Sequence, residues 1–91
     1  MGRGKNHGVQ KKIMSLLSDG EIWTNTKLYE VCSQMKYGPD SWSQFYNMLG
    51  QLARFTPKRL SNTHQIIALE NFREYKDGRL VRHSEYMLQE R

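Results

Sequence analysis

Apolar residues recur at helical spacing in three places along the chain. Val9, Ile13, Leu16 and Leu17 stand at i, i+4, i+7 and i+8, one face of a helix that Asp19-Gly20 ends. Leu28, Val31, Cys32 and Met35 form a second face, opened by Thr24 or Thr26 as an N-cap. Phe45, Met48, Leu49 and Leu52 form the third, the core side of a helix predicted over residues 41–55. Ser41 followed by Gln44 is a capping box for its start, Thr56-Pro57 is its stop, and Phe55 is expected to close the core at its end. Between the first two helices, "EIW" is short and apolar and predicts a brief β-strand. "YGPD" separates the second and third: Gly38 suits a left-handed C-cap, and Pro39 prevents continuation.

The last third reads differently. Asp77-Gly78 between "FREYK" and "RLVRH" is a two-residue hairpin signal. Pairing Lys76 with Arg79 places Tyr75 opposite Leu80, Leu69 opposite Tyr86 and Ile67 opposite Leu88. Two like-charged pairs, Arg73 with Arg82 and Glu70 with Glu85, count against this register. The alternative makes residues 69–76 a short helix, with Leu69, Phe72 and Lys76 at helical spacing; the hairpin is favoured. Residues 1–8 are Gly-rich, basic and aperiodic, and are expected to be a flexible arm ahead of one domain over 9–91. The fold class is α+β: a three-helix core with a short strand and a C-terminal β-hairpin.

Charge sharpens the picture. The net +5 is carried by residues 1–20 and 41–60, each summing to +3, while 21–40 sum to −1 and 61–91 to zero. Such a surplus favours a polyanionic partner, although solubility alone would explain a charge of this size. No acid occurs from Ser41 through Leu69. At about 100° per residue, the face of the third helix opposite its core side carries Ser43, Asn47, Gly50 and Arg54. A solvated face is usually rich in Glu and Lys. This one offers hydrogen-bonding groups, one terminal arginine and a glycine that costs about 0.5–1 kcal/mol relative to Ala.

Three short helices, a strand after the first and a terminal hairpin resemble a winged helix-turn-helix domain. The likeness covers residues 9–89 and rests on pattern: the capped third helix after the Gly-Pro turn looks like a recognition helix, and "EYMLQ" like the return strand of the wing. The segment over residues 56–64 is long for that family, and Arg54-Phe55 stands where many members have Gly. The resemblance implies sequence-specific binding to double-stranded DNA by a small transcriptional regulator. It implies a third helix in the major groove, where Ser43, Gln44, Tyr46, Asn47 and Arg54 read or border bases. The capped helix start at Ser41 would suit phosphate. Asn25, Thr26 and Lys27, opening the second helix, and Lys58 and Arg59, after the third, would lie on the backbone. Lys76 and Arg79 at the wing tip, with Arg73 and Arg82 below, would hold phosphate or enter a minor groove. Arg3 and Lys5 are candidates for a minor-groove arm. The alternative is a winged-helix module that docks a protein through the same helix, since fold does not fix function. A homodimer through the first helix or the last strand, around Met87 and Leu88, is a further possibility.

Other chemistry finds no support in the residues. His7, His64 and His83 are scattered, without metal-ligand spacing to Cys32, so no metal or cofactor is expected. Cys32 lies on an apolar face and reads as an inert thiol. "GRGKNHG" lacks Walker A spacing and carries Asn6 where Ser or Thr is needed. Glu70, Glu74, Asp77 and Glu85 read as a solvated hairpin surface. No enzyme and no small-molecule substrate are expected. No apolar run approaches a membrane span, the N-terminus has no secretory apolar region, and a single cysteine suits a reducing, cytoplasmic setting.

Overall fold

The computed structural model describes the backbone of residues 2–91 and the side chains of residues 8–91. The elements run α1 (Gly2–Leu17), β1 (Trp23–Thr24), α2 (Asn25–Cys32), α3 (Trp42–Arg54), β2 (His64–Lys76) and β3 (Arg79–Glu90). The fold is α+β, with three helices and one antiparallel sheet in the order β1-β3-β2. Helix α1 begins at Gly2, ahead of the Val9 at which its apolar pattern starts, so helical backbone runs through the stretch expected to be a flexible arm. The side chains of Arg3 and Lys5 lie outside the described residues.

Each helix buries the face its pattern marks. Val9, Ile13 and Leu17 from α1, Leu28 and Cys32 from α2, and Phe45, Leu49 and Leu52 from α3 converge on Ile66 and Tyr86 of the sheet. The caps follow the hydroxyls. Thr24 accepts from the Lys27 amide at 3.2 Å and Ser41 from the Gln44 amide at 3.2 Å, each satisfying one of the free donors of a helix start.

Helix α2 ends sooner than expected, at Ser33, and no left-handed residue closes it. Gly38 has another role: a Cβ there would stand 2.6 Å from the Cys32 carbonyl, so only glycine lets the chain return this close to the helix end. At the other helix end, Phe55 does not close the core. It is 72% exposed, and Thr56 turns inward instead. The Thr56 hydroxyl donates to the Leu52 carbonyl at 2.7 Å and accepts from the Ile66 amide at 2.9 Å. One buried side chain thereby closes α3 and fixes the start of β2, which organises the long segment between them.

Residues 69–76 are strand, not helix. Asp77 and Gly78 have φ of 54° and 76°, the paired positive values of a type I′ turn. From Lys76↔Arg79 down to Asn71↔Ser84 the register matches the sequence reading. Below that it slips by one residue, so that Ala68, not Leu69, faces Tyr86, and Ile66, not Ile67, faces Leu88. The cause is a bulge between Ala68 and Asn71, where two residues oppose one. Leu69 and Glu70 both lie opposite Glu85 in the bulge and neither is its ladder partner, whereas Arg73↔Arg82 remains a direct pair. Leu88 packs against the core.

Candidate nucleic-acid interface

The start of α2, the outer side of α3 and the hairpin surround Tyr46. Its hydroxyl lies 3.3 Å from the Ser84 hydroxyl on β3, and its ring stacks parallel to Trp42 at 5.9 Å. Tyr29 stands edge-on to both Trp42 and Phe45, at 5.1 and 5.3 Å, so an aromatic cluster anchors this corner to the core. Asn25 ties the same corner to the sheet. It is fully buried, donates to the Arg82 carbonyl at 3.3 Å and accepts from the Ser84 amide at 3.0 Å.

Three concavities open around Tyr46. One lies between α3 and the hairpin base, lined by Asn47, Gly50, Gln51 and Arg54 on the helix and by Asn71 and Ser84 on the strands. A second continues over the hairpin past Arg73 and Arg82. The third runs between Trp42, Tyr29 and the start of α2 on one side and residues 79–82 on the other. Among the described residues, no carboxylate lines any of them, while Arg54, Arg73, Arg79 and Arg82 do. Positive charge in a concave surface focuses its field on an approaching anion.

The residues singled out in the sequence divide into three groups. Tyr46, Asn47, Arg54, Arg73, Arg79 and Arg82 come together around these concavities. Ser43 and Gln44 are exposed on α3 and Lys27 is exposed on the first turn of α2. Lys76 is exposed at the turn. The rest have internal tasks or lie elsewhere. Thr26 sits 3.1 Å from His83 Nδ1 and 3.0 Å from the Thr24 hydroxyl, which commits its side chain to holding α2 on the hairpin. The Ser41 hydroxyl serves as the helix cap. Asn25 is buried and holds main chain, so it is no backbone-contacting residue. Arg59 donates to Gln10 on α1 at 2.7 Å, and neither it nor Lys58 lines a concavity around Tyr46.

Asn71 and Ser84 escaped the sequence reading, because nothing in a strand pattern says which residues will face a helix 38 positions away. His83 escaped it too. Its ring stacks on Phe72 at 4.8 Å, with Nδ1 toward Thr26 and Nε2 3.5 Å from a Glu74 carboxylate oxygen. Aromatic–aromatic pairing across the strands was the available signal, since Phe72 and His83 are partners in the register.

Gly50 faces the first concavity, and a Cβ built on it would meet nothing within 4 Å. The protein itself therefore gives no steric reason for a glycine there.

Cys32 lies in the core, away from this surface. Burial pushes its thiol from 9.0 up to about 11, with Lys12 pulling more weakly the other way. A thiol reagent such as DTNB at pH 8 is expected to leave the native protein unlabelled and to titrate one cysteine in urea; rapid native labelling would contradict the burial. Because the folded state holds this proton more tightly, its contribution to stability is complete below pH 9 and is lost as pH rises toward 11. Among the described residues, no group of His, Cys, Asp and Glu is placed to hold a metal ion, and no helix is long and apolar enough to cross a membrane.

No protein-family model, curated protein or solved structure matches the chain.

Proposed function

We propose that the chain is a small winged-helix domain that binds double-stranded DNA sequence-specifically, as a transcriptional regulator acting by occupancy. In this reading α3 is the recognition helix and the β2–β3 hairpin is the wing. The observation that carries it is the surface around Tyr46. There a hydrogen-bonding helix face and four arginines border three neighbouring concavities that, among the described residues, no carboxylate lines. The element order and the β1-β3-β2 sheet are compatible with such a domain.

The roles follow from position. Asn47 and Gln44 offer a donor and an acceptor each to base edges, Ser43 either, and Gly50 admits close approach of the helix backbone. Arg54 ends the helix and suits guanine or phosphate. Arg73 and Arg82 stand directly across the ladder, and such a like-charged pair is relieved by an anion between them. Phosphate supplies that anion.

The test is a salt titration of duplex binding by fluorescence anisotropy. If Lys27, Arg54, Arg73, Lys76, Arg79 and Arg82 each neutralise one phosphate, the log–log slope of affinity against salt should be about −5. A response near zero, or no duplex binding at low salt, would remove DNA and favour the protein-docking module. A random duplex library selected at two salt concentrations would then yield the motif, whose symmetry reports on dimerisation.

A further inference from the structure

We infer that the outer edge of β3 at Arg79–Arg82 docks an extended acidic peptide, which adds to the sheet as a strand. This goes beyond DNA binding: it shares Tyr46, Arg79 and Arg82 with the surface proposed for DNA but uses the main chain of the strand edge, which that reading leaves unused.

An antiparallel ladder turns both main-chain groups of a residue to one side and those of the next to the other. Asn25 takes the Arg82 carbonyl and the Ser84 amide, so these residues face away from β2. By the same alternation Leu80 turns its N–H and carbonyl to that outer side, and Arg82 its N–H. Strand β1 covers the outer side only as far as Thr24↔Glu85, and Asn25 closes it as far as Arg82. Beyond that, donors and acceptors spaced for strand pairing look into a groove.

That groove has the shape and chemistry of a peptide site. It encloses about 510 Å³, in the range of ligand clefts. Its far wall is Tyr29, Trp42 and Tyr46, held by the ring contacts described above; Trp42 is 37% exposed and Leu80 46%. Aromatic walls take the apolar side chains of one peptide face, while the main chain pairs with the edge. Among the described residues, its charged lining side chains are Arg79 and Arg82, with no carboxylate, so acidic alternate residues complement it. A strand laid there continues the line of β1 along the same edge.

The experiment uses the full chain labelled with ¹⁵N and an alternating Glu-Val peptide of about eight residues, long enough to span the edge. Binding is expected to shift the amide resonances of Leu80 and Arg82 and the indole of Trp42. N-methylation of alternate peptide residues keeps charge and side chains but removes pairing donors, and should weaken binding roughly tenfold. Leu80→Pro should do the same, because it removes the outward N–H and leaves the ladder to β2 intact. A Lys-Val peptide should not bind. The proposal is overturned if the Glu-Val peptide leaves these resonances unmoved at about 1 mM, well above weak docking affinities. Equal binding of the N-methylated peptide overturns it too. So does a short thymidine strand that moves the same resonances when the peptide does not, since the groove then stacks bases.

Discussion

Gly50→Glu should abolish duplex binding and leave the domain folded. The two halves of that expectation rest on different physics. Within the protein nothing opposes a side chain: the added atoms enter open space, and the new carboxylate would stand one helical turn before Arg54 in the favourable order for an ion pair. Helix propensity also improves, since glycine is about 1 kcal/mol worse than alanine and glutamate is a good former. Gly50→Ala should therefore raise stability by about 0.5–1 kcal/mol in urea denaturation. Against DNA the signs reverse. A carboxylate would stand beside phosphates with its bulk where the helix backbone approaches, and like-charge juxtaposition of this kind costs several kcal/mol. Affinity should fall about 100-fold or more. The milder Gly50→Ala should weaken binding while stabilising the fold, an opposition that a merely solvated face would not produce. Unchanged affinity in Gly50→Glu would take this face out of the groove.

Asn25→Ala carries the largest expected cost in stability. The Asn25 amide satisfies a carbonyl and an N–H of β3 in a fully buried position. Alanine leaves both without partners in a space that the lost side chain no longer fills. Each unsatisfied buried group costs about 1–3 kcal/mol, so a loss of about 2–6 kcal/mol is expected. For a domain of this size that lowers the melting temperature by roughly 10 °C or more. Lys27→Ala, two residues on and exposed, should change stability by less than about 0.5 kcal/mol. The measurement is a pair of urea transitions. Asn25→Ala unfolding at the wild-type midpoint would mean that water or the neighbouring backbone replaces both bonds.

The contrast between Asn25 and Lys27 shows what the sequence could and could not convey. Helical periodicity marked the core face of α3, and the opposite face followed from rotation alone. The Ser41 cap was legible because it precedes an apolar run, and Thr24 stood as one of two candidates beside Thr26. The turn was legible because Asp77-Gly78 suits positive φ at both positions. Asn25 looked like its neighbours, because a residue that opens a helix can point to solvent or to a strand end. Only the tertiary arrangement decides which. The bulge was half hidden: the like-charged Glu70–Glu85 pair counted against a continuous register, but the place where the register slips exists only in the pairing. Phe55 misled because an apolar residue after a helix usually turns inward. Here extended backbone, with φ of −153°, turns it out, and Thr56 takes the buried place. Of the groove walls from the hairpin, Arg73, Arg79 and Arg82 were legible as charges on a wing, whereas Asn71 and Ser84 were not, since they are joined to α3 by long-range packing and not by spacing.

The hairpin has a mechanical consequence. Asn25 holds the Arg82 carbonyl and the Ser84 amide, and Thr26 lies against His83, so β3 is clamped as far as Arg82, above the bulge. Past that clamp residues 74–80 are exposed. Three residues at about 3.4 Å each make a lever about 10 Å long. A bend of about 20° at the clamp would move the tip by about 3–4 Å, and Tyr75, Lys76 and Arg79 would travel with it.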